Sequence, residues 1–338
     1  MRSLLFSRLC GTVLLAAGTC LVAMASPAGA AAVTCEEVRV PVSVVGTAQT
    51  VYGKLCTPQG ATTVQVLIPG GTYNGSYWDI AYTPETRSYR QAMNNAGYAT
   101  LAVDRLGTGK SSKPLSSLVT ASTQASAVHQ VIQTLRPRFT KVLVGGHSIG
   151  SAMAMIEAGA YHDVNGVIVT GMTHRMNLIT VLPVLANMIP APLDLKFLGT
   201  TLDVGYLTTA PGTRFTAFHS PGPNVEGAMK FDESTKDVFA ATEAVDTILL
   251  TNVVIPFTKQ IDVPVLLVVG SGDTHFCGQP LGSDCSSVEA LRASEAPFFA
   301  DAARLRTYIL DGYGHSINYA PNAPTYHQVV EDWLRTLS

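Results

Sequence analysis

Three side chains in this sequence are of the types that carry out nucleophilic acyl chemistry together, and each follows a strand-like run. Ser148 is the centre of Gly146-His147-Ser148-Ile149-Gly150. It comes after the apolar run Lys141-Val142-Leu143-Val144-Gly145 and leads into Ser151-Ala152-Met153-Ala154-Met155-Ile156-Glu157-Ala158. The pattern reads as strand, sharp turn, helix, the context in which G-x-S-x-G presents a nucleophile. The turn forces its central residue into a strained backbone conformation, and the flanking glycines let neighbouring backbone pack close. A Gly-rich turn with a capping serine would carry the same five residues. A base and an orienting acid are therefore the further requirement.

Both are present downstream. Val263-Pro264-Val265-Leu266-Leu267-Val268-Val269 is a buried-strand run, and Gly270-Ser271-Gly272-Asp273 ends it with an acid in a turn. Leu305-Arg306-Thr307-Tyr308-Ile309-Leu310 is a second such run, ending in Asp311-Gly312-Tyr313-Gly314-His315-Ser316. Asp273 and His315 are the candidate acid and base, each at a strand end, as a shared site above the sheet requires. His275 lies too near Asp273 in sequence to orient against it. His174 suits a surface or capping role as well as a pocket-facing one. Asp246, Asp284 and Asp301 end no buried strand.

With these residues in place, the chain resembles an α/β-hydrolase from about Glu36 to its C-terminus. The order Ser148, Asp273, His315 is that family's order. Ile68-Pro69-Gly70-Gly71-Thr72-Tyr73 is similar to its His-Gly-x loop after the third strand, whose third residue supplies one oxyanion-hole N–H. The resemblance assigns Gly71 that role and Ile149, which follows the nucleophile, the other. The chain departs at Pro69, where the family usually has His. Proline brings no side-chain donor, so the loop must be held another way, and Thr72 remains open as the donor. The resemblance also implies that His147 and the loop Asp104-Arg105-Leu106-Gly107-Thr108-Gly109-Lys110-Ser111 are structural. That loop ends like a phosphate-binding P-loop, but the motif needs Gly where Asp104 stands, and an acid there repels phosphate.

The elements that must position these residues alternate between strand and helix, which argues a mostly parallel sheet covered on both faces. Glu37–Val45 and Thr50–Cys56 read as an opening hairpin. Strands are expected at Thr63–Ile68, Ala99–Asp104, Val142–Gly146, Gly166–Thr170, Val263–Val269 and Arg306–Leu310. Helices are expected at Glu85–Asn95, Ala121–Leu135, Ile149–Ala160, Ser287–Glu295 and Ala323–Leu337. The alternation breaks between about 172 and 260, in a segment rich in Leu, Ile, Met, Thr and Pro. A structureless loop of that length is implausible, and the resemblance implies an inserted helical cap whose apolar helices line the substrate pocket.

The first thirty residues read as a signal peptide. Arg2 and Arg8 precede an apolar run from Leu9 to Ala25, then Ala28-Gly29-Ala30, with cleavage near Ala30 or Ala32. The remainder, 31–338, reads as one secreted α/β domain without a membrane span. The formal net charge is −2 with no basic block, which excludes nucleic acid as a partner. Cys35, Cys56, Cys277 and Cys285 remain, an even count that implies disulfides in an exported chain. Of the three possible pairings, proximity favours Cys35–Cys56 and Cys277–Cys285. No clustered His/Cys spacing marks a metal site, and no cofactor is implied. The expectation is a serine hydrolase acting on an ester or lactone of a moderately hydrophobic small molecule. An acyltransferase, a cyclising tailoring enzyme or an exopeptidase would use the same groups, and a non-catalytic binding protein would keep the scaffold without turnover.

Overall fold

Alternating apolar and polar residues open the described chain, and they fold as a long hairpin. β1 (Val33–Val44) pairs antiparallel with β2 (Thr47–Pro58) through a two-residue turn at Val45-Gly46. The structure is a computed structural model that describes residues 32–252 and 257–337. The leader-like segment lies outside those residues. Short apolar runs then build the sheet: β3 (Thr63–Ile68), β4 (Ala99–Val103), β5 (Lys141–His147) and β6 (Val167–Thr170). A smaller antiparallel sheet follows, of β7 (Met188–Pro190), β8 (Tyr206–Thr209) and β9 (Phe239–Ala240). β10 (Val265–Gly270) and β11 (Arg306–Leu310) return to the main sheet.

That sheet has eight strands in the order β1-β2-β4-β3-β5-β6-β10-β11, parallel from β4 onward. The central strands are buried from end to end, as parallel strands covered on both faces must be. β10 starts two residues later than its apolar run because Pro264 has no N–H for the ladder; its carbonyl still accepts from Val167.

The helices follow the expected alternation with one instructive difference. In place of one helix over 85–95 there are two, α1 (Pro84–Arg87) and α2 (Tyr89–Asn95). Ser88 between them leaves helical backbone, and its hydroxyl accepts from Gln91 N–H at 3.0 Å to cap the second. α3 (Ala121–Leu135) and α4 (Ile149–Tyr161) pack side by side, α3 entered through a Thr120/Thr123 capping box.

The segment between β6 and β10 holds α5 (Leu178–Ala186), α6 (Glu226–Thr235), α7 (Ala241–Asn252) and α8 (Phe257–Gln260) together with β7–β9. It is therefore not purely helical. The small sheet escapes sequence reading because its strands are two to four residues long, too short to show a period of two. α5 is apolar but for Thr180, and none of its side chains is fully buried. α9 (Val288–Glu295) and α10 (Ala323–Arg335) complete the layers.

Disulfides join Cys35 to Cys56 across the hairpin and Cys277 to Cys285 after β10. Among the described residues no helix is long and apolar enough to cross a membrane.

Candidate active site

Ser148 sits between β5 and α4 with φ 55° and ψ −126°, a conformation that costs a non-glycine residue about 1–3 kcal/mol. Neighbouring backbone holds it there. Its N–H donates to the Thr170 carbonyl at 2.9 Å, fixing the turn to β6. Gly146 and Gly150 press against each other: a Cβ on Gly146 would stand 2.1 Å from the Gly150 carbonyl oxygen, and one on Gly150 would stand 2.5 Å from that of Ile68. Any larger residue at either position would push the turn off the sheet. α4 starts at Ile149, so its positive end lies directly behind the serine.

Asp273 follows β10 and His315 follows β11, and the parallel register of those strands brings the two loops together. His315 Nδ1 lies 2.9 Å from Asp273 Oδ2. The other carboxylate oxygen accepts the His275 backbone N–H at 3.1 Å. Burial alone would raise the fully buried Asp273; His315 and His275 together outweigh it and hold the carboxyl below its usual value. Ser148 and His315 line one pocket with Gly71, Thr72 and Ile149. Among the described residues, the N–H groups of Gly71 and Thr72 enter none of the backbone hydrogen bonds of the turns and loops.

The rest of the pocket is apolar. Met176, Val181, Val184, Leu185, Met188 and Phe239 line a cleft of about 750 Å³, counting its solvent-open mouth. α5 supplies three of these residues, while its Leu178, Ile179 and Leu182 face outward and are 50–71% exposed.

Three other histidines are accounted for. His147 stacks on Tyr77 at 4.3 Å beneath the turn, and burial keeps it neutral. His174 does not reach the pocket: its ring nitrogens meet Glu295 Oε2 at 2.6 Å and Thr258 Oγ1 at 3.1 Å. His275 does line the pocket, with its ring centroid 4.6 Å from that of His315. Burial, with His315 beside it, pulls His275 down to about 4, so it is neutral at pH 7.

Sequence reading leaves open what holds the loop at Pro69, and here two buried arginines do so. Arg105 Nη2 donates to the Gly70 carbonyl at 3.1 Å and to that of Val238 at 3.2 Å, while Nη1 pairs with Glu243 at the start of α7. Arg214 Nη1 donates to Thr72 Oγ1 at 2.9 Å and also reaches the Thr72 carbonyl, which accepts the Asp237 N–H as well. Gly71 is thus bracketed by guanidiniums. Arg105 belongs to a loop singled out from the sequence. Arg214 carries no sequence signal beyond that of a lone cation in a mixed stretch.

The Cys277–Cys285 bridge closes the loop that follows Asp273 and carries Phe276 of the pocket. Loop-closure entropy gives it roughly 2.5 kcal/mol and Cys35–Cys56 roughly 3.5 kcal/mol. Cys35→Ser/Cys56→Ser should lower the denaturation midpoint and leave kcat intact. Cys277→Ser/Cys285→Ser should lower the midpoint less but raise KM, because the pocket wall loosens. Denaturant titrations beside steady-state kinetics check both.

A family model described as "Alpha/beta hydrolase family" matches residues 65–328. The chain belongs to the α/β-hydrolase family. Its fold is also that of a thermophilic esterase from Thermogutta terrifontis (TM-score 0.59, 14% identity, 89% of this chain and 99% of that one). A lipase in an open form gives TM-score 0.60 at 17% identity, covering 90% and 99% of the two chains. A bacterial membrane phospholipase A gives 0.58 at 18% identity, covering 89% and 86%. At these identities the likeness is one of fold. No curated protein matches the sequence.

Proposed function

We propose that this protein is a secreted serine hydrolase that cleaves a carboxylic ester or lactone of a moderately hydrophobic substrate. The observation that carries the reading is the strained Ser148 lining one pocket with His315, whose Nδ1 is held by a buried Asp273. His315 takes the Ser148 proton as Oγ attacks the ester carbonyl. Asp273 holds the imidazole with its Nδ1–H toward the carboxylate and stabilises the imidazolium as it forms. The N–H groups of Gly71 and Ile149 receive the developing oxyanion, a contribution of about 3–4 kcal/mol per donor. His315 then protonates the leaving alkoxide and activates the water that releases the acyl group. The apolar walls from Met176 to Phe239 favour a hydrocarbon chain or ring over a charged group. Two disulfides and the leader-like first thirty residues support export.

The test is labelling by a fluorophosphonate, with the adduct mapped by mass spectrometry. A single adduct on Ser148, absent from Ser148→Ala, is expected. Turnover of p-nitrophenyl esters should rise from acetyl to medium acyl chains. An unlabelled, folded, disulfide-intact protein that binds esters without turnover would overturn the reading in favour of a binding protein. Product partition in added alcohol separates hydrolysis from acyl transfer.

A further inference from the structure

Away from the pocket, α3, α4 and the chain just after α4 bring together three titratable side chains, one of them fully buried. Glu157 of α4 has a side chain with no solvent exposure, and neither of its carboxylate oxygens has a hydrogen-bond partner. Beside it, Asp163 Oδ1 and His129 Nδ1 are also buried atoms without a hydrogen bond. Burial, with the Asp163 carboxylate beside it, raises the Glu157 carboxyl to about 9, so without an ion it holds a proton shared with Asp163, and a cation bound here would take that proton's place.

Their geometry has the dimensions of a coordination shell. His129 Nδ1 lies 2.9 Å from Asp163 Oδ2 and 3.6 Å from Glu157 Oε1, and one ligand atom from each residue falls within 4.8 Å of the others. Nitrogen and oxygen ligands about 2.0–2.2 Å from a tetrahedral ion stand about 3.3–3.6 Å apart; the 3.6 Å His129–Glu157 separation is of that size, and the 2.9 Å His129–Asp163 contact opens by about half an ångström to admit the ion. The remaining polar contacts bring no donor to Glu157 or to Asp163 Oδ1. Gln133 Nε2 donates to Asp163 Oδ2, and Arg136 donates to the Asp163 backbone carbonyl rather than to a carboxylate. The His129 ring is held in place by stacking on Tyr161, with centroids 3.8 Å apart.

We propose that His129, Glu157 and Asp163 bind a divalent metal ion of the zinc class and that this ion fastens α4 to α3. An imidazole with two carboxylates suits Zn²⁺, whereas Ca²⁺ and Mg²⁺ favour all-oxygen shells. His129 and Asp163 are partly exposed, at 25% and 12%, so the ion has a path in and room for a water as fourth ligand. The role is structural. The site joins α3 to the end of α4 remote from Ile149, and none of its residues lines the catalytic pocket.

The experiment uses the full-length purified protein, stripped with chelator and then given ZnCl₂ or CaCl₂. Retained metal is counted by atomic emission after dialysis, and thermal unfolding is followed. One zinc per chain is expected, with a Tm that climbs with the logarithm of zinc concentration. Both should be lost in Glu157→Gln, which keeps the side-chain shape, and in His129→Ala, at a partly exposed position. Activity of both variants should stay near that of the unmodified protein. His275→Ala must keep the zinc effect, because among the described residues Asp273, His275 and His315 form the other cluster able to hold an ion. Absence of retained zinc and of a Tm shift overturns the proposal. So does a shift that survives in Glu157→Gln and His129→Ala, one lost in His275→Ala, or one that calcium produces and zinc does not.

Discussion

His315→Ala is expected to lower kcat on a good ester substrate about 10⁶-fold, the loss seen when the base of such a unit is removed. His275→Ala should leave kcat within about tenfold, well short of the 10²–10⁴ that a proton-transfer group supplies. The two rings are neighbours in one pocket, so composition alone does not separate them. Geometry does. A general base in this chemistry needs its second nitrogen fixed by an acid, and Asp273 Oδ2 meets His315 Nδ1. The contact of His275 with Asp273 is through its backbone N–H, which alanine retains. What His275→Ala removes is a neutral ring from the pocket wall, and KM is where that should show. Steady-state kinetics on both variants, with circular dichroism to establish folding, gives the comparison. Equal losses in the two would mean that the proton passes through His275.

What could be read from the sequence tracks how local each signal is. Ser148, Asp273 and His315 each end a strand-like run, so three short windows and their order were enough to place them on one side of one sheet. The disulfides were readable as pairs because each joins segments near in sequence. The split at Ser88 was not, since the helical propensity on either side runs through a residue that tertiary context turns into a cap. β7–β9 were hidden by their shortness. Arg214 and the His129, Glu157 and Asp163 cluster were hidden for a stronger reason. No sequence spacing relates Arg214 to Thr72, or α3 to α4. These contacts exist only once helices and the inserted segment have packed, and a lone charged residue in a mixed window looks the same on a surface as it does in a core.

Arg214 is where that hidden layer bears most on turnover. Arg214→Gln is expected to lower kcat about 10²-fold, near the lower end for loss of one oxyanion donor, with little change in KM. Arg214 touches no substrate position; it acts through the loop. Its guanidinium makes a bidentate pair with Asp232, both contacts 2.8 Å, and grips the Thr72 hydroxyl and carbonyl from behind. Asp232 is held well below the usual carboxylate range: burial opposes this, but Arg214 and His219 outweigh it. The cluster therefore keeps its charge at any working pH. His219 continues the chain to the Tyr313 hydroxyl at 3.1 Å, two residues before His315. One buried ion pair thus fixes the loop of Gly71 and braces the loop of His315. Glutamine can still donate to Thr72 but leaves Asp232 without its cation, an uncompensated charge that costs about 3–5 kcal/mol. Arg214→Gln/Asp232→Asn removes that charge and should recover stability without recovering kcat. Affinity for a trifluoromethyl ketone, which places an oxyanion in the site, should fall in parallel with kcat/KM, while affinity for the product acid stays. A purely structural role would lower the melting temperature and leave the ketone affinity of the folded protein unchanged.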